Sequence, residues 1–412
     1  MRILQLGLTY APQWARGGLG RFMFDLGRQL AGRGDEVWVY TADSSMATPK
    51  DGWPGFPAGM TVRYFRQRGG WRRRFYFDYS WSELQAFFRA HHDDVDVIHL
   101  YQTRCLVNIA ALWASYRYDI PLALSSFGSL PSRGGAGKMV YDSMFVRPLI
   151  RRSRLLLGQT RHECDTYVDY GARPDRVHLL PLGVDFRTCP EDATGRLAAS
   201  FRARYDIPLR DPLVLFLGRM HPTKGVDFLI GSFARVKELL PTACLAIVGT
   251  DEGAGAAVMS AIRRTGLDRA VRVCGPLYDA DRWQAYHAAD CFAITPAVYE
   301  ETALASIEAM ACGTPVVATE RADVPWLEDY EAGHVVAADD ADAVASALVE
   351  ILSASPERRR QVRQNARRLA AERFEIAAVA QHLRSLLQPV VEGRRVVVPA
   401  VSVIEAPADG SR

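Results

Sequence analysis

Short apolar runs bounded by Gly, Pro or Asp alternate with amphipathic stretches along most of the 412-residue chain. In the first half ILQLG (3–7), VWVYT (37–41), VIHL (97–100), LALSS (122–126) and LLLGQ (155–159) read as strands, with helical patterns over 19–31, 81–91 and 105–116 between them. Repeated strand and helix of this kind predicts a parallel sheet covered on both faces. PLGVD (181–185) closes this half, and the polar segment after it, with Pro190, Asp192, Gly195 and Pro208, reads as a linker.

The series restarts at LVLFLG (213–218). A helix follows over 226–240, its apolar residues at 226, 229, 230, 233, 236 and 240 falling on one face. Further strands are CLAIVG, VRVC, CFAIT, PVVAT and HVVA. The prediction is an α/β chain of two doubly wound, Rossmann-like domains, 1–186 and 187–371, with a ligand at the carboxyl ends of the strands in the cleft between them. A last helix within 372–390 is expected to pack back on the first domain, and the Pro/Ala-rich tail over 391–412 to be loosely ordered.

Composition agrees: 49% of residues are hydrophobic, enough for two cores. Net charge is +3, but up to position 190 there are about 25 basic against 17 acidic residues, so the first half is basic. That asymmetry suits contact with anionic lipid, acidic polysaccharide or nucleic acid, although surplus arginine is more often a solvated surface. The seven cysteines are dispersed, without a CxxC pair, and read as reduced core residues of a cytoplasmic protein. The amino-terminal apolar run is too short for a secretory signal, and none approaches the roughly 20 residues of a membrane span. Any membrane contact is therefore expected to be peripheral.

Candidate chemistry gathers at the predicted strand ends. In LGRMHPTKGVDFL, Arg219 follows a strand and Lys224 precedes a helix, so an arginine fork and a flexible ammonium lie where a diphosphate would bind. Two ordinary surface cations would give the same spacing. After CFAIT, residues 296–301 form a loop, Thr302 is a plausible N-cap, and 303–312 make a helix ended by Gly313. The free amides of Ala303, Leu304 and Ala305 would then face the ligand. Glu300 and Glu308 stand about 10 Å apart along that helix, the reach of an extended nucleotide diphosphate sugar. Glu308 lies on a packing face and needs donors, which paired ribose hydroxyls or a structural arginine would supply equally well.

YEETALASIEAMACGTPVVAT (299–319), with GRMHPTKG upstream, resembles the carboxyl-terminal signature of glycosyltransferase family 4, retaining enzymes of the GT-B fold. GGLGRFMFDLGRQLAGRGDEVWVYT, DVIHL, LPLGVD and YHAADCFAITP match in consistent order over about residues 1–385. The resemblance implies that Arg219 and Lys224 hold the donor diphosphate and that Glu308 binds the ribose. It implies that Glu300 contacts the transferred sugar, favouring positive charge at its anomeric carbon, and that Leu304 and its neighbours offer amides to phosphate. Gly17 and Gly18 would let the backbone of the acceptor-side domain approach both substrates, although a flexible loop would explain them too.

One departure matters. Where the family carries a histidine followed by glycine, this chain has Phe127 and Gly128. A retaining transfer in which the departing phosphate oxygen accepts the acceptor proton needs no protein base, and electrostatic stabilisation of the leaving diphosphate is then the main catalytic contribution. His99 and Glu163, each near a strand end, are further candidates for the cleft, against a satisfied structural role for both.

Asp94 and Asp96 form a DVD that precedes a strand and reads as solvated loop acids, and no ligands complete a metal site with His91 and His92. GxGxxG is missing after the first strand, against a dinucleotide enzyme. No metal or other cofactor is expected. The segment 63–88, with six arginines in its first twelve residues and many aromatics, suits an anionic membrane surface presenting a lipid-linked acceptor, or an acceptor loop with packed aromatics. No nucleic-acid motif accompanies its charge.

The function expected is transfer of a sugar from a nucleotide-diphosphate sugar to a hydroxyl of a glycan or lipid-linked acceptor. A nucleotide-sugar epimerase and a catalytically silent sugar-nucleotide-binding protein are the alternatives. Base-contacting residues are expected near 249–252 and 272–276, none assigned.

Overall fold

The computed structural model describes residues 1–7, 10, 18–43, 56–66, 81–130, 136–300 and 304–393. The chain divides into two compact units: Met1–Gly183 together with the chain from Ile376 onward, and Val184–Glu375.

The first unit runs β1 (Arg2–Gly7), α1 (Gly18–Ala31), β2 (Glu36–Asp43), β3 (Met60–Arg66), α2 (Trp81–His91), β4 (Val97–Tyr101), α3 (Leu106–Tyr118), β5 (Leu122–Ser125), α4 (Ala136–Tyr141), α5 (Arg147–Arg152), β6 (Leu155–Gly158), α6 (Arg161–Asp169) and β7 (Val177–Leu179). Its seven-stranded sheet has the order β3-β2-β1-β4-β5-β6-β7, every pair parallel. The central strands are largely apolar because helices cover both faces: β4 and β5 are buried at every position. Asp94 and Asp96 anchor the first strand, accepting from Arg2 Nη1 at 3.1 Å and Arg2 N at 2.7 Å. Two strands were not read from the sequence. β3 mixes arginines with aromatics, and β7 has three residues.

The second unit runs α7 (Arg196–Arg204), β8 (Leu213–Leu217), α8 (Val226–Leu239), β9 (Cys244–Val248), α9 (Gly255–Thr265), β10 (Val271–Gly275), α10 (Asp279–Ala288), β11 (Cys291–Ile294), α11 (Leu304–Ala311), β12 (Val316–Thr319), β13 (Gly333–Val336), α12 (Ala341–Ser353) and α13 (Pro356–Arg373). Six parallel strands lie in the order β10-β9-β8-β11-β12-β13. Caps set the helix starts: Asp340 accepts from the amides of Asp342 and Ala343, and Ser355 precedes Pro356 at the first position of α13.

The segment expected to be a linker instead contains α7. The Asp192 carboxylate accepts from the amides of Leu197 and Ala198 at 3.1 and 2.9 Å and starts the helix. On its inner face Phe201 is buried beside Arg202, which donates to the carbonyls of Pro208, Asp211 and Ala288 and to the Asp290 carboxylate. A buried arginine breaks the apolar period that betrays a helix. The last helix also starts later than expected, as α14 (Ile376–Val391), because Phe374 leaves α13 and Glu375 bridges to Val184.

α14 belongs to the first unit and packs against α1, β4 and β6. Its inner face carries Ile376, Val379, Leu383, Leu386, Leu387 and Val390. Arg384 Nε reaches Asp35 Oδ2 at 2.9 Å, and the other oxygen of this buried carboxylate holds the Met1 ammonium at 2.9 Å. Among the described residues no helix is long and apolar enough to cross a membrane.

Candidate active site

In the second sheet the strand order turns at β8, flanked by β9 and β11. Ligands of open α/β sheets bind outside the carboxyl ends of the strands at such a point. The loop after β8 is sewn to the loop after β11 through Gly225. Its φ of 62° is left-handed, and a Cβ there would lie 2.0 Å from the Thr295 carbonyl oxygen. Thr295 Oγ1 donates to the Gly225 carbonyl at 3.2 Å, and the Ala297 amide to the Thr223 carbonyl at 3.0 Å.

Those contacts place Lys224 beside Glu300, and the ammonium donates to the carboxylate Oε1. The side chains are 17% and 21% exposed. Glu300 is held from behind by the chain after β12: its amide donates to the Arg321 carbonyl at 2.7 Å, and its carbonyl accepts from the Asp323 amide at 3.2 Å.

Arg219 lies on the same β8 loop but has another partner, Glu252 Oε2 at 2.6 Å. The loop carrying Glu252 approaches because Gly249, φ 152°, has space for no Cβ: one would sit 1.8 Å from the Gly218 carbonyl oxygen. Both side chains of this pair are at least 40% exposed, so it contributes only about 0–1 kcal/mol and exchanges readily for another anion. Arg219 and Lys224 thus share a loop but not a carboxylate.

Glu308 is buried on α11. Arg282 Nε donates to its Oε1 at 3.1 Å and the Tyr286 hydroxyl to its Oε2 at 2.9 Å. Of the two readings left open by sequence, the structural arginine is present. Arg282 and Tyr286, one turn apart on α10, escaped the sequence reading, although Tyr286 opens the motif YHAADCFAITP. Leu304 begins α11. Ala303 lies outside the described residues.

In the first unit Gly18 opens α1, and Gly17 lies outside the described residues. His99, proposed for the cleft, is a core residue with no exposed surface: Nε2 meets Ser125 Oγ at 2.9 Å and Nδ1 the Tyr101 hydroxyl at 3.0 Å. Burial lowers its pKa to about 3, so the ring is neutral. Glu163 is equally buried and committed. Thr160 caps its amide, the capping-box spacing, and the carboxylate accepts from Ser126 Oγ at 2.5 Å, the Gly128 amide at 2.6 Å and the Gln159 amide at 2.8 Å. Burial raises the pKa of this carboxyl against those hydrogen bonds, which lower it. Phe127, φ 49°, leans on Tyr101 and Phe22 with ring centroids 5.6 Å away in each case.

Residues 17–183 match the family described as glycosyl transferase 4-like domain, and 211–354 the one described as glycosyl transferases group 1. The chain is 30% identical to a D-inositol 3-phosphate glycosyltransferase of Xylanimonas cellulosilytica over 337 residues, 73% of this chain and 75% of that protein. It belongs to glycosyltransferase family 4. D-inositol 3-phosphate glycosyltransferase 2 of Catenulispora acidiphila is also 30% identical to this glycosyltransferase, with 88% of each chain covered. HepE of Anabaena, crystallised with UDP and glucose, shares the GT-B fold with it: the TM-score is 0.72 at 18% identity, over 94% of this chain and 99% of that one. The family and fold that the sequence implied are therefore those of this glycosyltransferase.

Proposed function

We infer that this glycosyltransferase moves a sugar from a nucleotide-diphosphate sugar to a hydroxyl of a glycan or lipid-linked acceptor, with retention and without a metal ion. The observation that carries the reading is the Lys224–Glu300 pair at the adjacent ends of β8 and β11, with Arg219 in the same loop. Two cations on one short loop at a sheet switch point supply what a leaving diphosphate needs. Arg219 exchanges its weak pair with Glu252 for phosphate, and Lys224 bridges phosphate to Glu300, whose carboxylate faces positive charge developing on the sugar. Glu308, already oriented by Arg282 and Tyr286, keeps lone pairs on both oxygens for ribose hydroxyls.

His99 and Glu163 are committed to packing, which supports a route in which the departing phosphate oxygen takes the acceptor proton. HepE was crystallised with UDP and glucose, and the relatives above are named for inositol 3-phosphate. A UDP-sugar and a phosphorylated polyol are accordingly the first donor and acceptor to try.

Peripheral contact with an anionic membrane has support outside the segment 63–88, most of which lies beyond the described residues. Met139, Val140 and Met144 are exposed beside exposed Lys138 and Arg151.

The test is incubation with UDP-, GDP- and ADP-sugars and candidate acceptors in chelator, followed by NMR of the anomeric centre. Transfer or slow hydrolysis with retained configuration is expected. Isomerised sugar would make the protein an epimerase, and tight binding without turnover a silent binding protein.

A further inference from the structure

Away from the strand-end loops, the second unit brings together three side chains that the sequence keeps far apart. Cys189 follows a short 3-10 turn (Phe186–Thr188), His287 lies in the last turn of α10, and Cys312 follows α11. The Cys189 and Cys312 sulfurs are 3.4 Å apart across 123 residues of chain. One donor atom from each of the three residues lies within 4.8 Å of the others. Cys312 and His287 are buried and Cys189 half-buried.

His287 is set up as a ligand. Its Nε2 donates to the Pro190 carbonyl at 2.7 Å, which in the neutral ring leaves the lone pair on Nδ1. A ring nitrogen tied to a backbone carbonyl is the usual support behind a metal-bound imidazole, because it fixes tautomer and ring orientation. Pro190 adjoins Cys189, so one turn supplies both a sulfur and the carbonyl that orients the imidazole. Backbone contacts fix the other sulfur: the Cys312 amide donates to the Glu308 carbonyl at 3.2 Å, and Arg367 Nη2 donates to the Cys312 carbonyl at 3.2 Å.

We propose that Cys189, His287 and Cys312 form a binding site for a thiophilic divalent cation of the zinc class. Two sulfurs and an imidazole nitrogen are a zinc donor set, and sulfurs sharing a tetrahedral zinc stand about 3.8 Å apart, near the separation found here. The Glu308 carboxylate, one turn before Cys312, is directed to Arg282 and Tyr286, and the Asp192 carboxylate caps α7, so the fourth position falls to water entering on the half-buried Cys189 side. Binding converts two thiols to thiolates and releases two protons for each cation bound, with no change of oxidation state. The site joins the turn at 186–190 to the ends of α10 and α11. It uses none of Arg219, Lys224 and Glu300, and the proposal does not depend on the diphosphate chemistry above.

The test uses the full chain, reduced with a phosphine and freed of metal by dialysis, then titrated with zinc against a chromophoric indicator and separately with cobalt(II). One equivalent is expected to bind, with a thiolate-to-cobalt charge-transfer band and a zinc-dependent rise in Tm. Cys189→Ser, at a half-exposed turn that tolerates the change, should lower affinity at least tenfold and abolish the band. Cys105→Ser, in the first unit, should leave both intact. A wild-type chain with no band and no zinc-dependent Tm shift overturns the proposal. So does a chain that binds no zinc but loses two hydrogens in air through a Cys189–Cys312 disulfide, which would make the cluster a redox pair.

Discussion

Lys224 and Glu300, 76 residues apart in sequence, form an ion pair where β8 and β11 end side by side. The pair exists because Gly225 lets one loop press against the carbonyl of Thr295 in the other. Cation and carboxylate are thus placed by backbone contacts, before any substrate is present.

If these groups hold a leaving diphosphate, Lys224→Ala and Arg219→Ala should each weaken nucleotide-diphosphate binding by about 10–100-fold, the range of a lost charge-assisted hydrogen bond. Glu300→Gln should reduce kcat by about 100-fold or more while leaving donor affinity within a few-fold. Calorimetric titration and initial rates read the two effects separately. Unchanged values in all three variants would remove the site from this loop.

Gly225→Ala puts a methyl group onto the Thr295 carbonyl in a left-handed conformation. A loss of at least about 2 kcal/mol of stability is expected, read as a lower urea midpoint, together with a raised KM for donor. Gly231→Ala serves as the control. That glycine is inside α8 with no atom near its would-be Cβ, so the change should be neutral or slightly stabilising.

Glu308→Ala leaves Arg282 buried without its carboxylate, and should cost the free protein about 3–5 kcal/mol. Pairing it with Arg282→Met should recover much of that stability. Chemical unfolding of the four proteins measures the coupling. Additive losses would mean that the two groups do not depend on each other.

His99 ties stability to pH. Burial holds its pKa at about 3 against an ordinary 6.5, so the folded form stays neutral while the unfolded chain takes up a proton as pH falls through 6.5. Its contribution is complete above that value and declines toward pH 3, amounting to about 2 kcal/mol between pH 7.5 and 5. His99→Gln, which cannot titrate, should flatten that part of the stability curve. An identical slope in both proteins would refute the assignment.

Much of the architecture was legible because buried parallel strands are apolar from end to end: the runs at 97–100 and 291–295 correspond to β4 and β11 within a residue. Helices with a clean apolar stripe were equally plain, α2 and α8 among them. α7 was hidden because Arg202 sits inside on backbone carbonyls, and β3 because its arginines resemble a charged loop. At the site, sequence order put Arg219, Lys224 and Glu300 at strand ends. It gave no hint that Arg219 would meet Glu252, or that Glu308 would meet Arg282 and Tyr286. Those partners depend on how neighbouring strand ends and helices turn their side chains toward one another. The same holds for Cys189 and Cys312, which along the chain are two isolated thiols.

α14 gives the first unit a peculiar birth order. Its sheet is finished by residue 179, yet α1 waits for α14 to pack against it, and the Asp35 carboxylate for Arg384, which leave the ribosome some two hundred residues later. A nascent chain must carry that half-covered surface through the synthesis of the whole intervening unit. A nonsense codon near position 375 would therefore damage the part of the molecule that was made first.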